Sequence, residues 1–107
     1  MGNRANIEFR EEAGGKLFFY THWMGLEHMK EAVYRALNKH ARWCDESYLA
    51  RMIFCELIKD DIEGTTGFGI STYEFEDGSP FIVVDVESQT VTINGIKSFT
   101  FEEFITK

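Results

Sequence analysis

The chain has 107 residues, room for one ordinary domain and one core. A 44% hydrophobic and 15% aromatic composition excludes intrinsic disorder, and a single proline with nine glycines excludes a collagen-like or low-complexity chain. A formal charge of −7 opposes direct binding to a nucleic-acid backbone or an anionic membrane, and no apolar run approaches the ~18 residues that span a bilayer.

The opening segment, MGNRANIEFREEAGG, holds no apolar signal-peptide core. Met1-Gly2 resembles the start of a myristoylation signal, but Asn6 stands where Ser or Thr is wanted. The expectation is one domain, residues 1–107, without linker or repeat, in the cytoplasm. Asn6–Arg10 reads as a short strand, Ala13-Gly14-Gly15 as a turn, and the aromatic-rich Lys16–Trp23 as the second strand of a hairpin. From Leu26 the period changes: Leu26, Met29, Val33, Ala36, Leu37 and Ala41 recur at helical spacing, and Glu31 stands four residues before Arg35.

Asp45 is placed to cap a second helix. Its apolar residues, Tyr48, Leu49, Met52, Ile53, Phe54, Cys55, Leu57 and Ile58, form a stripe so wide that the helix is expected to be mostly buried. Asp60–Gly69 reads as a loop, Ile70–Phe75 as a strand, Gly78-Ser79-Pro80 as a turn, Phe81–Val86 as a buried strand and Val91–Ile96 as another. Thr100 and Glu103 have capping-box spacing before a short terminal helix. The order β-β-α-α-β-β-β-α indicates an α+β fold, a mainly antiparallel sheet of about five strands packed on two central helices.

Charge is uneven: residues 1–43 carry a balance of +2 and residues 44–107 one of −9. The acids cluster at Asp60, Asp61 and Glu63, at Glu74, Glu76 and Asp77, and at Asp85 and Glu87. They read as a solubilising surface or as an acidic face that imitates a phosphate backbone. Cys44 and Cys55 lie about 16 Å apart along helix geometry, beyond disulfide reach, so both are expected as free thiols, with Cys55 in the core.

Three stretches belong together: His22-Trp23-Met24-Gly25; Arg42-Trp43-Cys44-Asp45 with Tyr48-Leu49-Ala50-Arg51; and Thr66-Gly67-Phe68-Gly69-Ile70-Ser71. Over residues 16–75 the chain resembles a group of small proteins of tailed bacteriophages and prophages with His-Trp-Gly-Gly, Arg-Trp-Asp-Asp and Thr-Gly-Tyr-Gly-Ile-Ser patterns. Met24, Cys44 and Phe68 depart from those patterns, and Phe68 removes a tyrosine hydroxyl. The resemblance implies a phage setting and a bacterial host cytoplasm, and no chemistry.

Candidate ligand-binding residues are His22, Trp23, Arg42, Trp43, Thr65, Thr66, Gly67 and Gly69. An indole beside an imidazole stacks a base and hydrogen-bonds its edge, or anchors a strand–helix corner. The Arg42 guanidinium clamps an anion, or closes an interhelical salt bridge with Trp43 in the core. Gly64-Thr65-Thr66-Gly67-Phe68-Gly69 offers backbone N–H groups and hydroxyls to an anion, or is a plain connection; it lacks the Gly-Lys-Ser/Thr of a P-loop. Arg51, on a helix expected to be buried, calls for an anionic partner such as Asp45, Glu46 or Asp85.

His22, His28 and His40 lack ligand spacing and Cys44 lacks a paired cysteine, so no metal or other cofactor is expected. Ser47, Ser71, Ser79, Ser88 and Ser98 occupy no nucleophile elbow. Three functions follow. The first is a non-catalytic binding protein that captures a host component, such as a small anionic nucleotide-like signal, in an anti-defence role. The second is an acidic inhibitor that imitates nucleic acid against a host protein. The third is a small hydrolase with His22 or His28 as general base. A homo-oligomer is a further expectation, through a hairpin edge bearing Phe18, Phe19 and Tyr20.

Overall fold

The computed structural model describes residues 3–12, 14–73 and 80–106. Met1-Gly2, Ala13, Phe75, the acids Glu74, Glu76 and Asp77, and Gly78-Ser79 lie outside the described residues. In chain order the elements are β1 (Ala5–Arg10), β2 (Lys16–Thr21), α1 (Gly25–Leu37), α2 (Glu46–Ile58), β3 (Phe68–Ser71), β4 (Phe81–Asp85), β5 (Thr90–Ile93), β6 (Lys97–Thr100) and α3 (Phe101–Ile105). The fold is α+β.

Among the described residues one sheet runs β3-β2-β1-β4-β5-β6, six strands where about five are expected. It is also mixed: β4 pairs parallel with β1, Ile7 opposite Ile82 and Phe9 opposite Val84, and the other pairs are antiparallel. The sixth strand, Lys97–Thr100, follows the stretch expected as one strand, Val91–Ile96, which stops at Ile93. Asn94 and Gly95 take φ of +54° and +69° and turn the chain back as β6. β2 is likewise flanked on both sides, by β1 and β3, so the hairpin bearing Phe18, Phe19 and Tyr20 offers no free edge for a two-fold partner. The sheet's edges are β3 and β6.

Alternation along the strands gives the sheet two unlike faces. Ile7, Phe9, Phe19, Ile82, Val84 and Val91 meet the helices and are fully buried together with Met29, Val33, Leu37, Leu49 and Ile53. α1 lies over β1 and β4, α3 over β5 and β6. Phe54 of α2 reaches Phe19 at 5.2 Å between ring centroids. The opposite face carries Asn6, Glu8, Phe18, Tyr20, Val83 and Thr92 in register.

The helix boundaries have local causes. α1 ends at Leu37 because His40 turns left-handed (φ +56°) while its N–H donates to the Leu37 carbonyl, so Ala41 is exposed and lies past the helix. Asp45 caps α2, its Oδ1 accepting from Tyr48 N at 3.4 Å, and Thr100 with Glu103 closes the capping box of α3. α2 is less buried than its stripe suggests. Leu49, Ala50, Ile53 and Leu57 face inward, whereas Tyr48, Arg51 and Cys55 are exposed, because α1 and the sheet cover only one side. Arg51 is therefore no buried charge, and Cys55 is no core residue.

Candidate functional site

The strand-to-helix corner after β2 is built from backbone constraints. Thr21 is buried, and its Oγ1 accepts from the N–H of Met24 at 3.2 Å, folding residues 21–24 tightly. His22 N donates to the Gly67 carbonyl at 2.8 Å, which ties the corner to the loop that enters β3. Gly67 has φ +97°, and a Cβ there would lie 2.6 Å from Cζ3 of Trp23. Only glycine gives both the left-handed backbone and the room for the indole.

The side chains around this corner form a half-open aromatic group. The His22 ring meets Trp23 edge-on, with centroids 5.3 Å apart. Tyr20 Oη lies 2.8 Å from His22 Nδ1. Either atom can donate in this pair, and Nε2 is left for another hydrogen bond in either tautomer. Gly69 stands opposite Tyr20 in the ladder. Trp23 remains 53% exposed although one side of its ring rests on Gly67. Thr65 and Thr66, which precede Gly67 in sequence, are exposed.

The structure divides the residues expected to act together. His22, Trp23, Gly67 and Gly69 gather at the start of α1. Arg42 and Trp43 lie beyond its far end, and the 13-residue helix between them is about 20 Å long. There the Trp43 indole N–H donates to the Leu37 carbonyl at 3.0 Å, and its ring packs edge-on against Phe101. Arg42, left-handed at φ +64°, sits 4.5 Å over the Tyr48 ring with Nη1 3.5 Å from Asp45 Oδ2. Its charge is used on the cap of α2, and it supplies nothing to the Trp23 corner. The loop itself is also less suited to anions than its glycines suggest: the Asp61 carboxylate lies against Gly64, where a Cβ would collide with Oδ1.

Sequence reasoning passed over Arg4. It is exposed and stands one residue before the Ala5–Thr21 pair that ends the hairpin ladder on the side of His22. His28, by contrast, is structural: its Nε2 donates to the Leu57 carbonyl at 2.8 Å and its ring lies 6.0 Å from that of Phe68. Among the described residues no three His, Cys, Asp or Glu side chains come together as a metal set.

The acids regroup as well. Glu12 N donates to Glu46 Oε2, Val86 N to the Arg10 carbonyl, Gln89 Nε2 to Cys44 Sγ, and Phe101 N to the Gln89 carbonyl. These links bring the segments bearing Glu11, Glu12, Glu46, Glu87, Glu102 and Glu103 to the end of the molecule opposite the Trp23 corner. Asp60, Asp61 and Glu63 remain at the corner's own end, before β3.

Comparison with protein families, with characterised proteins and with solved structures finds no match to this chain.

Proposed function

We propose that the protein is a non-catalytic binding protein that captures a small nucleotide-like molecule at the Trp23–Gly67 corner, within the phage setting that its motifs resemble. The observation that carries this reading is the pinned indole. Its ring rests on the Gly67 α-carbon and meets His22 at its edge while staying half exposed, a preformed plane that needs no ordering when a base stacks on it. His22 Nε2 and the Thr65 and Thr66 hydroxyls supply hydrogen bonds to the base edge and ribose. Arg4, in place of Arg42, supplies the positive charge for a phosphate.

Calorimetry with linear and cyclic mononucleotides tests this. The wild type binds at least one of them, Trp23→Ala loses that binding, and Arg42→Ala retains it. Absence of any binding at millimolar concentration overturns the reading.

A second reading, an acidic protein ligand that imitates nucleic acid, is favoured by one observation: four separate chain segments that bear carboxylates meet at the end opposite the corner. It predicts a host nucleic-acid-binding protein that co-purifies and is released by salt.

A further inference from the structure

We propose that the outer edge of β3 is a strand-addition site for an extended, positively charged segment of a partner protein. This rests on the sheet edge and the acids of the connection before it, and does not depend on the nucleotide reading. β3 pairs with β2 on one side, and among the described residues no strand pairs with its other side. In a strand the N–H and C=O groups point alternately to either side, so part of the β3 backbone faces outward without a ladder.

Edges of sheets are usually guarded by lysine, proline or a charged side chain. The other edge here conforms, since β6 opens with the exposed Lys97. β3 does not: Phe68-Gly69-Ile70-Ser71, with the Thr72-Tyr73 that follows, holds no charge and no proline. Ile70 in the middle of it is 53% exposed and Tyr73 is 80% exposed. An unguarded edge with a protruding β-branched side chain is the arrangement that β-augmentation uses, the backbone giving affinity and alternate side chains giving selectivity.

The sign of the partner follows from what flanks the edge. The connection from α2 into β3 presents Asp60, Asp61 and Glu63, all exposed. Lys59, the cation nearest to them in sequence, is directed 3.7 Å from Glu56. A strand laid along β3 therefore lies next to a connection with three exposed carboxylates that pair with no cation among the described residues, and lysine or arginine in it is favoured. A second copy of this chain is the wrong occupant. Two-fold pairing joins bodies of charge −7 and sets one acidic connection at each end of the new ladder.

The test is amide chemical-shift mapping with two pentapeptides, acetyl-Lys-Val-Thr-Val-Lys-amide and its counterpart with Glu in place of both Lys. The lysine peptide is expected to shift the amides of residues 68–71 and to bind roughly tenfold more tightly than the glutamate peptide at low salt, the difference shrinking at about 0.5 M salt. Ile70→Lys weakens the lysine peptide by roughly tenfold, since it adds the missing guard, while Ile70→Thr, which keeps the β-branch, weakens it less. Equal binding of both peptides, shifts concentrated away from β3, no shift at millimolar peptide, or self-association through β3 overturns the proposal.

Discussion

Arg35 and Glu56 join the two long helices: Arg35 Nε donates to Glu56 Oε1 across 2.9 Å from α1 to α2. Lys39 Nζ reaches the same carboxylate at 3.4 Å and Lys59 Nζ at 3.7 Å, and Glu31 holds Arg35 from its own helix at 3.3 Å. Sequence spacing reveals the Glu31–Arg35 pair, but Glu56 becomes visible as the hub only when the helices are packed. Burial alone would raise the Glu56 pKa; the hydrogen bonds from Arg35 and Lys39, with the charges of Lys39 and Lys59, outweigh it and hold the carboxyl below its ordinary 4.5.

A carboxylate with a lowered folded pKa stabilises the fold fully above its unfolded value and loses that contribution as pH falls through the folded one. Chemical denaturation from pH 7 downward is therefore expected to show stability falling below the ordinary glutamate range. Glu56→Gln removes about 1 kcal/mol at pH 7 and flattens that part of the profile. An unchanged profile contradicts the hub.

Gly67→Ala is expected to cost about 1–3 kcal/mol, from the left-handed backbone and the collision with the Trp23 ring. It also displaces the indole, so Trp23 fluorescence moves along with the thermal midpoint. A neutral substitution would mean that the ring does not rest there.

Asp45→Ala is expected to lower stability by about 0.5–2 kcal/mol, the usual range for a lost cap. Arg42→Ala, which leaves the cap but removes its ion pair, costs less, about 0.2–1 kcal/mol. Urea denaturation of the two variants checks the order.

Cys44 and Cys55 are both free and exposed. Native-state alkylation followed by intact mass is expected to show two modifications without unfolding. A protected Cys55 would restore it to the core.

The α+β class, the helix pair, the caps at Asp45 and Thr100 and the apolar run of β4 are all legible in the sequence, because each depends on neighbours within one turn or one strand. β6 was signalled too: Asn94-Gly95 is a hairpin dipeptide, but the apolar Val91, Ile93 and Ile96 on either side of it mask the break. The parallel β1–β4 pair is not legible, since nothing local fixes which side of β1 receives a strand from 75 residues further along.

The site shows the same division. His22-Trp23 and the Gly67 loop are recognisable as unusual, yet their juxtaposition, and the removal of Arg42-Trp43 to the far end of α1, depends on helix length and direction. Arg4 escapes notice because it matters only through the hairpin register.

The central claim, that the Trp23 corner is the binding surface, is tested most directly by following the two indole N–H resonances during a titration with the nucleotide that calorimetry selects. The chain has two tryptophans, one at each end of α1. The account predicts that the Trp23 signal shifts with ligand in the wild type, that the shift is lost in Gly67→Ala, and that Trp43 stays in place throughout. A shift confined to Trp43 would contradict it.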